Sequence, residues 1–273
     1  MTVRRWREAC TILAFLLPVL VVFGAFRFLP MLGAAGLSVA DYRPGGEFEF
    51  AGADNYTSLL QDRIFLTSLR TTLTYVAIYV PLIVVVALGT ALLLHSVPWG
   101  RGLFRAALFA PYVTSLVLSG VIWKWVLEPG GFLRSPSAVL PALAVVGVWK
   151  GFGYAMLILL AGIRNVPADC LEAATVDGAS AWQRFRHMLL PSLRPAIFFV
   201  VVVETIGAFQ VFDTVYVMTS GGPMQSSYTL AYLIYDYGFK YFEIGRAAAA
   251  GVVLWAIVLL VSLVQRRAFE RNP

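Results

Sequence analysis

Six long apolar runs constrain this chain more than any other feature of its sequence. A helix needs about 20 mostly apolar residues to cross the hydrocarbon core of a bilayer, and each run meets that length. Hydrophobic residues fill 59% of the 273 positions and charged residues only 13%, so most of the chain cannot face water. The sequence therefore predicts an all-α, polytopic membrane protein with six transmembrane helices. The predicted spans are approximately 12–34, 71–94, 104–127, 141–163, 195–218 and 246–264.

The positions of the arginines predict a cytoplasmic location for both termini, because cytoplasmic loops carry an excess of Lys and Arg. Arginines occur before the first run and in the short segments after the second, fourth and sixth runs. Residues 35–70 then form an extracytoplasmic loop and residues 164–194 a cytoplasmic one. A cleaved signal peptide is the alternative for the first run, but its apolar part exceeds the roughly 7–15 residues typical of such peptides. A retained helix is therefore favoured.

The net charge of +6 is scattered between the apolar runs and not gathered into a basic stripe, so no nucleic-acid partner is expected. Membrane lipid is the expected surrounding of the spans.

The cytoplasmic segment 164–194 predicts two capped helices joined by a glycine. Gly178 suits the left-handed position that ends a helix, and Ser180 with Gln183 forms the pattern of a capping box for the next one. Small residues at the joint would let another backbone come close. On physical grounds this segment is equally consistent with a knob that docks into a protein and with an interfacial helix lying on lipid headgroups.

This segment resembles the EAA loop of importer-type ABC permeases. Glu172-Ala173-Ala174, Gly178 and Met188-x-Leu190-Pro191 match the pattern E-A-A-x3-G-x9-I-x-L-P, with Met188 in the place of the usual Ile. Segments 50–62, 104–133 and 219–235 are also similar to the carbohydrate subfamily, in particular to the first subunit of maltose-type and glycerol-phosphate-type permeases.

The resemblance implies a type I ABC importer permease fold in a single membrane domain, located in the bacterial plasma membrane. It implies a second related permease as partner, two copies of a cytoplasmic ATPase, and an extracytoplasmic binding protein that contacts the outer loops. In that family the EAA loop forms coupling helices that dock on the ATPase. The residues expected to couple to the ATPase are Glu172, Ala173, Ala174, Asp177, Gly178, Ala179, Leu190 and Pro191.

The sequence predicts no chemistry of the chain's own. It contains no G-x-x-x-x-G-K-[ST] loop for nucleotide phosphates, and His95 and His187 are its only histidines. The chain is therefore expected not to be an enzyme and to bind no cofactor. ATP and Mg²⁺ would be bound by the partner ATPase.

Polar residues inside the apolar runs are candidates for the substrate pathway, because such groups are costly in a membrane. In the fifth run, Gln210, Asp213 and Thr214 follow an i, i+3, i+4 spacing and are expected to share a helix face, whereas Glu204 projects from another face. Gly153 and Tyr154 of the fourth run complete the candidates. Gln210 matches the place of polar sugar contacts in maltose-type permeases; an interhelical hydrogen bond is the alternative for such a side chain.

The function expected from these features is that of a permease subunit in an ATP-driven, binding-protein-dependent importer of a carbohydrate: a sugar, oligosaccharide or amino sugar. A glycerol-3-phosphate importer is the alternative within the same class. An ion-coupled secondary transporter, with Glu204 and Asp213 as relays, is the alternative from another class.

Overall fold

The computed structural model describes residues 3–42, 44–45 and 48–270, most of them helical. The chain divides into two compact units, residues 1–61 with 234–253 and residues 62–233 with 254–273. In chain order the α-helices are α1 Val3–Phe23, α2 Leu29–Leu37, α3 Asp54–Gln61, α4 Arg63–Ser96, α5 Arg101–Val113, α6 Leu116–Leu127, α7 Val139–Arg164, α8 Ala168–Val176, α9 Ala181–Arg184, α10 Leu190–Ser192, α11 Arg194–Phe209, α12 Asp213–Met218, α13 Leu230–Tyr235 and α14 Ile244–Glu270. Wider π-helical turns occupy Gly24–Phe28, Phe185–Leu189 and Asp236–Lys240.

Among the described residues, four helices are long and apolar enough to cross a membrane, and two bent pairs raise that number to as many as six. The four are Thr11–Leu37, Arg63–Ser96, Val139–Arg164 and Ile244–Glu270. The bent pairs are α5 with α6, which meet at 93°, and Ala181–Ser192 with α11, which meet at 65°.

The helices differ from the predicted runs where tertiary contacts replace local helical ones. Helix α4 begins at Arg63, before the predicted residue 71, because Asp62 caps it by accepting a hydrogen bond from the backbone N–H of Ile64 at 2.8 Å. The third run is broken between Val113 and Leu116, and the fifth run leaves the helix after Phe209. Continuous helices over 104–127 and 195–218 were thus wrong predictions.

The larger unit has its core between α4, α7 and α11. Along one face of α4 the buried residues are Tyr75, Tyr79, Ile83, Ala87 and Ala91. Small side chains let helix backbones approach closely, which is how helices without a water-driven hydrophobic effect pack in lipid.

The described residues between α2 and α3 belong to the smaller unit and are ordered by one buried amide. Strands β1 Ala40–Asp41 and β2 Glu49–Phe50 pair antiparallel, so the expectation of an all-α chain is wrong in this loop. Asn55 of α3 donates hydrogen bonds to the carbonyl oxygens of Ser38 at 3.0 Å and of Ala40 at 2.9 Å.

The first apolar helix buries no side chain within the described part of the chain. Over Thr11–Leu37 every residue is exposed or half-buried. A polytopic chain presents such apolar surface to lipid or to neighbouring helices.

Candidate functional site

A cavity of about 540 Å³ opens between the helices of the larger unit. That volume is in the range of about 300–1,000 Å³ that small-molecule sites occupy. Its wall combines aromatic rings with a few polar groups. Its lining includes Tyr75, Tyr79, Tyr112, Thr114, Leu116, Lys150, Gly151, Tyr154, Glu204, Gln210, Asp213 and Thr214.

Glu204 lies in the wall of this cavity on α11. Its Oε2 accepts a hydrogen bond of 2.8 Å from the hydroxyl of Tyr79 on α4. Tyr79 in turn stacks on Tyr75, with ring centroids 5.5 Å apart. The sequence placed Glu204 on a different helix face from Gln210, yet both side chains line the same cavity.

Gln210, Asp213 and Thr214 also line the cavity, but the shared helix face predicted for them is wrong. Gln210 caps the end of α11, and Asp213 and Thr214 begin the separate short helix α12. The break leaves the Val211 carbonyl without a helical partner, and it accepts a 3.0 Å hydrogen bond from the Thr229 hydroxyl. Non-helical backbone therefore aims these three side chains into one space.

The two candidates of the fourth run have different surroundings. Tyr154 lines the cavity and stacks on Tyr112, with ring centroids 5.0 Å apart. Gly153 is buried in the contact between α7 and α5 and is not in the cavity lining. A Cβ at this position would lie 2.9 Å from the Cα of Phe109 and closer still to the Leu108 carbonyl oxygen. Its neighbour Gly151 does line the cavity.

Lys150 lines the cavity, although it is not among the pathway candidates from the sequence. Its ammonium donates hydrogen bonds to the carbonyl oxygens of Pro111 and Tyr112, both at 2.8 Å, and to that of Thr114. These carbonyls lie at the 93° break of the third run. A lysine inside an apolar run was the available signal, but its partners 36 to 39 residues away could not be read from local pattern.

Residues 164–194 contain the two capped helices that the sequence predicts. Gly178 has φ +79°, and the N–H groups of Gly178 and Ala179 donate to the carbonyls of Thr175 at 3.1 Å and Ala174 at 2.9 Å. This pair of bonds is the Schellman motif, which satisfies carbonyls at a helix end. Asp177 occupies the C-cap position.

The next helix starts with a reciprocal capping box. The Gln183 N–H donates to the Ser180 hydroxyl at 3.3 Å, and the Ser180 N–H donates to the Gln183 side chain at 2.7 Å. Arg184 ties the two helices together through a 2.6 Å hydrogen bond to the Thr175 hydroxyl. The elbow is thus fixed from both sides.

Four predicted coupling residues are exposed around this elbow, and the others are half-buried. Glu172, Ala173, Asp177 and Gly178 are exposed, whereas Ala174, Ala179, Leu190 and Pro191 are half-buried. The sequence predicted that the second helix ends at Leu190. It continues to Ser192, because the π-helical turn Phe185–Leu189 shifts the hydrogen-bonding register before Pro191.

The chemistry that the cavity offers lies in its polar and aromatic side chains. Within the described part of the chain, no group of three or more His, Cys, Asp or Glu side chains could hold a metal ion. The cavity offers carboxylate, amide and hydroxyl groups between aromatic faces, which suits the binding of a polar solute.

Comparison with known proteins agrees with this geometry. The family model described as "Binding-protein-dependent transport system inner membrane component" matches residues 2–271. The trehalose transport system permease protein SugA of Mycobacterium tuberculosis is 37% identical over 232 residues, covering 81% of this chain and 75% of that protein. The sn-glycerol-3-phosphate transport system permease protein UgpA of Yersinia pestis is 32% identical, covering 97% of this chain and 96% of that protein.

A solved structure shares the fold. The crystal structure of a bacterial ABC transporter involved in the import of the acidic polysaccharide alginate matches with a TM-score of 0.83 at 23% identity, covering 98% of this chain and 99% of that one. With the family model spanning nearly the whole sequence, this chain belongs to the family of inner-membrane components of binding-protein-dependent transport systems, and is a multi-pass protein of the bacterial plasma membrane.

Proposed function

We propose that this chain is one permease subunit of an ATP-driven importer that receives a neutral carbohydrate from an extracytoplasmic binding protein. Six spans with both termini in the cytoplasm would pair with a related permease. Two copies of an ATPase would seat on the coupling loops of the two permeases and would hold the ATP and Mg²⁺. The family match and the trehalose-transporting relative support this assignment.

The observation that carries the proposal is the rigid, exposed elbow between α8 and α9. The side chain of Val176 at its tip is 88% exposed, although the turn is fixed by the Schellman bonds and the capping box. An interfacial helix presents its apolar side chains along one continuous face, whereas Val176 is the last residue of α8, at the joint where the chain turns into α9. A rigid projection of this kind can transmit motion from a docked partner as a lever.

The charges of the cavity favour a neutral solute over a phosphate ester. Of the described residues that line it, Lys150 is the cation, and its ammonium is already bound to backbone carbonyls. Glu204 and Asp213 face the same space with carboxylates, which repel an anion. The stacked pairs Tyr75–Tyr79 and Tyr112–Tyr154 offer flat apolar faces for the C–H surface of a sugar. The carboxylates and the aromatic faces of the cavity together favour a trehalose-like solute over glycerol phosphate.

The test begins with the tagged chain purified from membranes of its own host. We expect it to co-elute with a second permease and an ATPase. In a strain lacking the chain, uptake of radiolabelled trehalose or maltose should fall, while uptake of sn-glycerol-3-phosphate should not.

An energy-coupling control separates the two classes of transporter. Depleting ATP while the proton gradient persists should stop uptake of the sugar. Uptake that survives ATP depletion and collapses with an uncoupler would overturn the proposal in favour of an ion-coupled carrier.

A further inference from the structure

The break in the third apolar run exposes backbone groups at the wall of the cavity. Helix α5 ends at Val113 and α6 begins at Leu116, with 93° between their axes. The last carbonyls of a helix have no intrahelical partner. In a membrane protein such groups are satisfied by other parts of the protein or by water in a cavity.

The Pro111 carbonyl accepts hydrogen bonds from the Thr114 N–H at 3.3 Å and from the Thr114 hydroxyl at 2.6 Å. A side chain from another helix adds donors to this carbonyl and to two others at the break. The ammonium of Lys150 on α7 donates to three carbonyls, those of Pro111, Tyr112 and Thr114, and lies 3.3 Å from the Thr114 hydroxyl oxygen. An ammonium has three donors, so its hydrogen-bonding capacity is matched by these carbonyls. It also brings a positive charge to the carboxyl end of α5, where the helix dipole favours one.

The broken segment is itself a wall of the substrate cavity. Tyr112, Thr114 and Leu116 line the cavity together with Ser119 of α6. The Thr114 and Ser119 hydroxyls are hydrogen-bonded at 2.9 Å, which links the two sides of the break. Lys150, which donates hydrogen bonds to the carbonyls at the break, therefore also sets the position of this wall.

We propose that Lys150 is a positioning residue that holds the broken third span open as one wall of the substrate cavity. It acts on the backbone at the break and does not bind the solute. This role deepens the proposed function, since the cavity is the one through which the carbohydrate would pass. Glu204 and Asp213 are the other charged groups that face this cavity, and neither takes part in the lysine's contacts with the break.

The close contact between α5 and α7 explains why a lysine of α7 can reach the break. Gly153 brings the α7 backbone against Leu108 and Phe109 of α5. A side chain at residue 153 would separate the two helices and move Lys150 away from the carbonyls. Gly153 thus allows the close approach of α5 and α7 that Lys150 needs to reach the carbonyls.

The experiment uses the co-purified complex with both native cysteines replaced, Cys10→Ser and Cys170→Ser, and a reporter Leu116→Cys in the cavity wall. Its labelling by a membrane-impermeant maleimide reports the wall position and requires no transported substrate. The labelling rate tests the role of Lys150, and trehalose uptake separately tests the proposed substrate. A failure of one proposal can therefore be distinguished from a failure of the other.

We expect Lys150→Ala to change the labelling rate of the reporter at least several-fold and to lower trehalose uptake. Millimolar methylammonium should restore both, because it replaces the missing donors. Tetramethylammonium carries the same charge without N–H groups and should not restore them. Lys150→Arg should restore the labelling only in part, since its planar donors cannot converge on three carbonyls. Lys124→Ala is the matched control and should leave labelling and uptake unchanged.

Three results would overturn the proposal. One is unchanged labelling in Lys150→Ala, and another is equal restoration by tetramethylammonium. The third is a selective loss of sn-glycerol-3-phosphate uptake with an unmoved wall, which would make Lys150 a substrate-binding residue. If the Lys150→Ala complex fails to assemble, Lys150→Gln replaces it. The glutamine amide has two N–H donors, so we expect a labelling rate between those of wild type and of a variant without donors. A wild-type labelling rate in Lys150→Gln would contradict the proposal.

Discussion

The hydroxyl of Tyr79 donates a 2.8 Å hydrogen bond to Oε2 of Glu204 and so connects α4 with α11 beside the cavity. The contact is tightly enclosed, since a Cβ on Gly151 would lie 3.0 Å from the Tyr79 hydroxyl oxygen. Hydrogen bonds between membrane helices contribute modestly to stability, but losing one here also leaves a carboxylate without its donor.

Tyr79→Phe is therefore expected to destabilise the chain by about 1 kcal/mol. For a chain of this size that corresponds to a fall of about 2–4 °C in the thermal midpoint of the purified complex. Tyr75→Phe is the matched control, because no hydrogen bond of the Tyr75 hydroxyl is found in the described part of the chain. An equal shift in both variants would assign the effect to ring packing.

The elbow between α8 and α9 depends on the backbone conformation of Gly178. Its φ of +79° is costly for residues with a Cβ, by roughly 1–2 kcal/mol, and least so for Asn. Gly178→Val should weaken co-elution of the ATPase and lower substrate-stimulated ATP hydrolysis, while the chain still inserts into the membrane. Gly178→Asn should stay close to wild type. Full coupling in the Val variant would show that the Schellman turn does not determine docking.

The close packing of α5 on α7 can be tested at Gly153. Gly153→Ala places a methyl group against backbone atoms of Leu108 and Phe109, which cannot rotate away as a side chain could. Overpacking of this kind costs about 1–3 kcal/mol. We expect a lower thermal midpoint and faster labelling at the cavity wall. Gly89→Ala is the control, because a Cβ there meets nothing within 4 Å. Equal midpoints for the two alanine variants would contradict the packing argument.

The elbow between α8 and α9 could be predicted because its hydrogen bonds are local in sequence. The cavity could not be predicted, because it depends on contacts between residues far apart in the chain. The Schellman turn at Gly178 and the capping box at Ser180 use bonds within a few residues, so the sequence was enough to place them. The break after Phe209 contains neither Pro nor Gly in residues 210–212, and the freed Val211 carbonyl is satisfied by Thr229, far along the chain. The hydrophobic periodicity of the fifth run gives no information about that partner.

The same limit applies to charge. Hydropathy located Lys150 within an apolar run, but the three carbonyls that hold it belong to another helix. Glu204 was singled out because a carboxylate in such a run is costly, and that reasoning put it among the cavity residues without identifying Tyr79. A charged residue in an apolar run can be recognised from the sequence. Its hydrogen-bond partners can be identified only once the packing of the helices is known.

The conformation of the loop between α2 and α3 should depend on the side chain of Asn55. This amide is 7% exposed and donates to the carbonyls of Ser38 and Ala40, and Gly245 packs so closely that a Cβ on it would lie 3.0 Å from the amide nitrogen. Asn55→Asp keeps the shape but removes the donors and brings a carboxylate against two carbonyl oxygens. Buried groups that lose a partner cost about 1–3 kcal/mol each.

We therefore expect Asn55→Asp to open the loop locally, which limited proteolysis of the intact complex would detect as new cleavage between residues 38 and 53. Asn55→Ala should have the same effect to a smaller degree, because it removes the donors without adding a charge. Asn165→Asp, at the exposed end of α7, provides the matched control and should leave the digestion pattern unchanged. Because the coupling elbow has its own local hydrogen bonds, ATPase co-elution should persist in all three variants. Protection of the loop equal to wild type in Asn55→Asp would show that the hairpin and not the amide orders it.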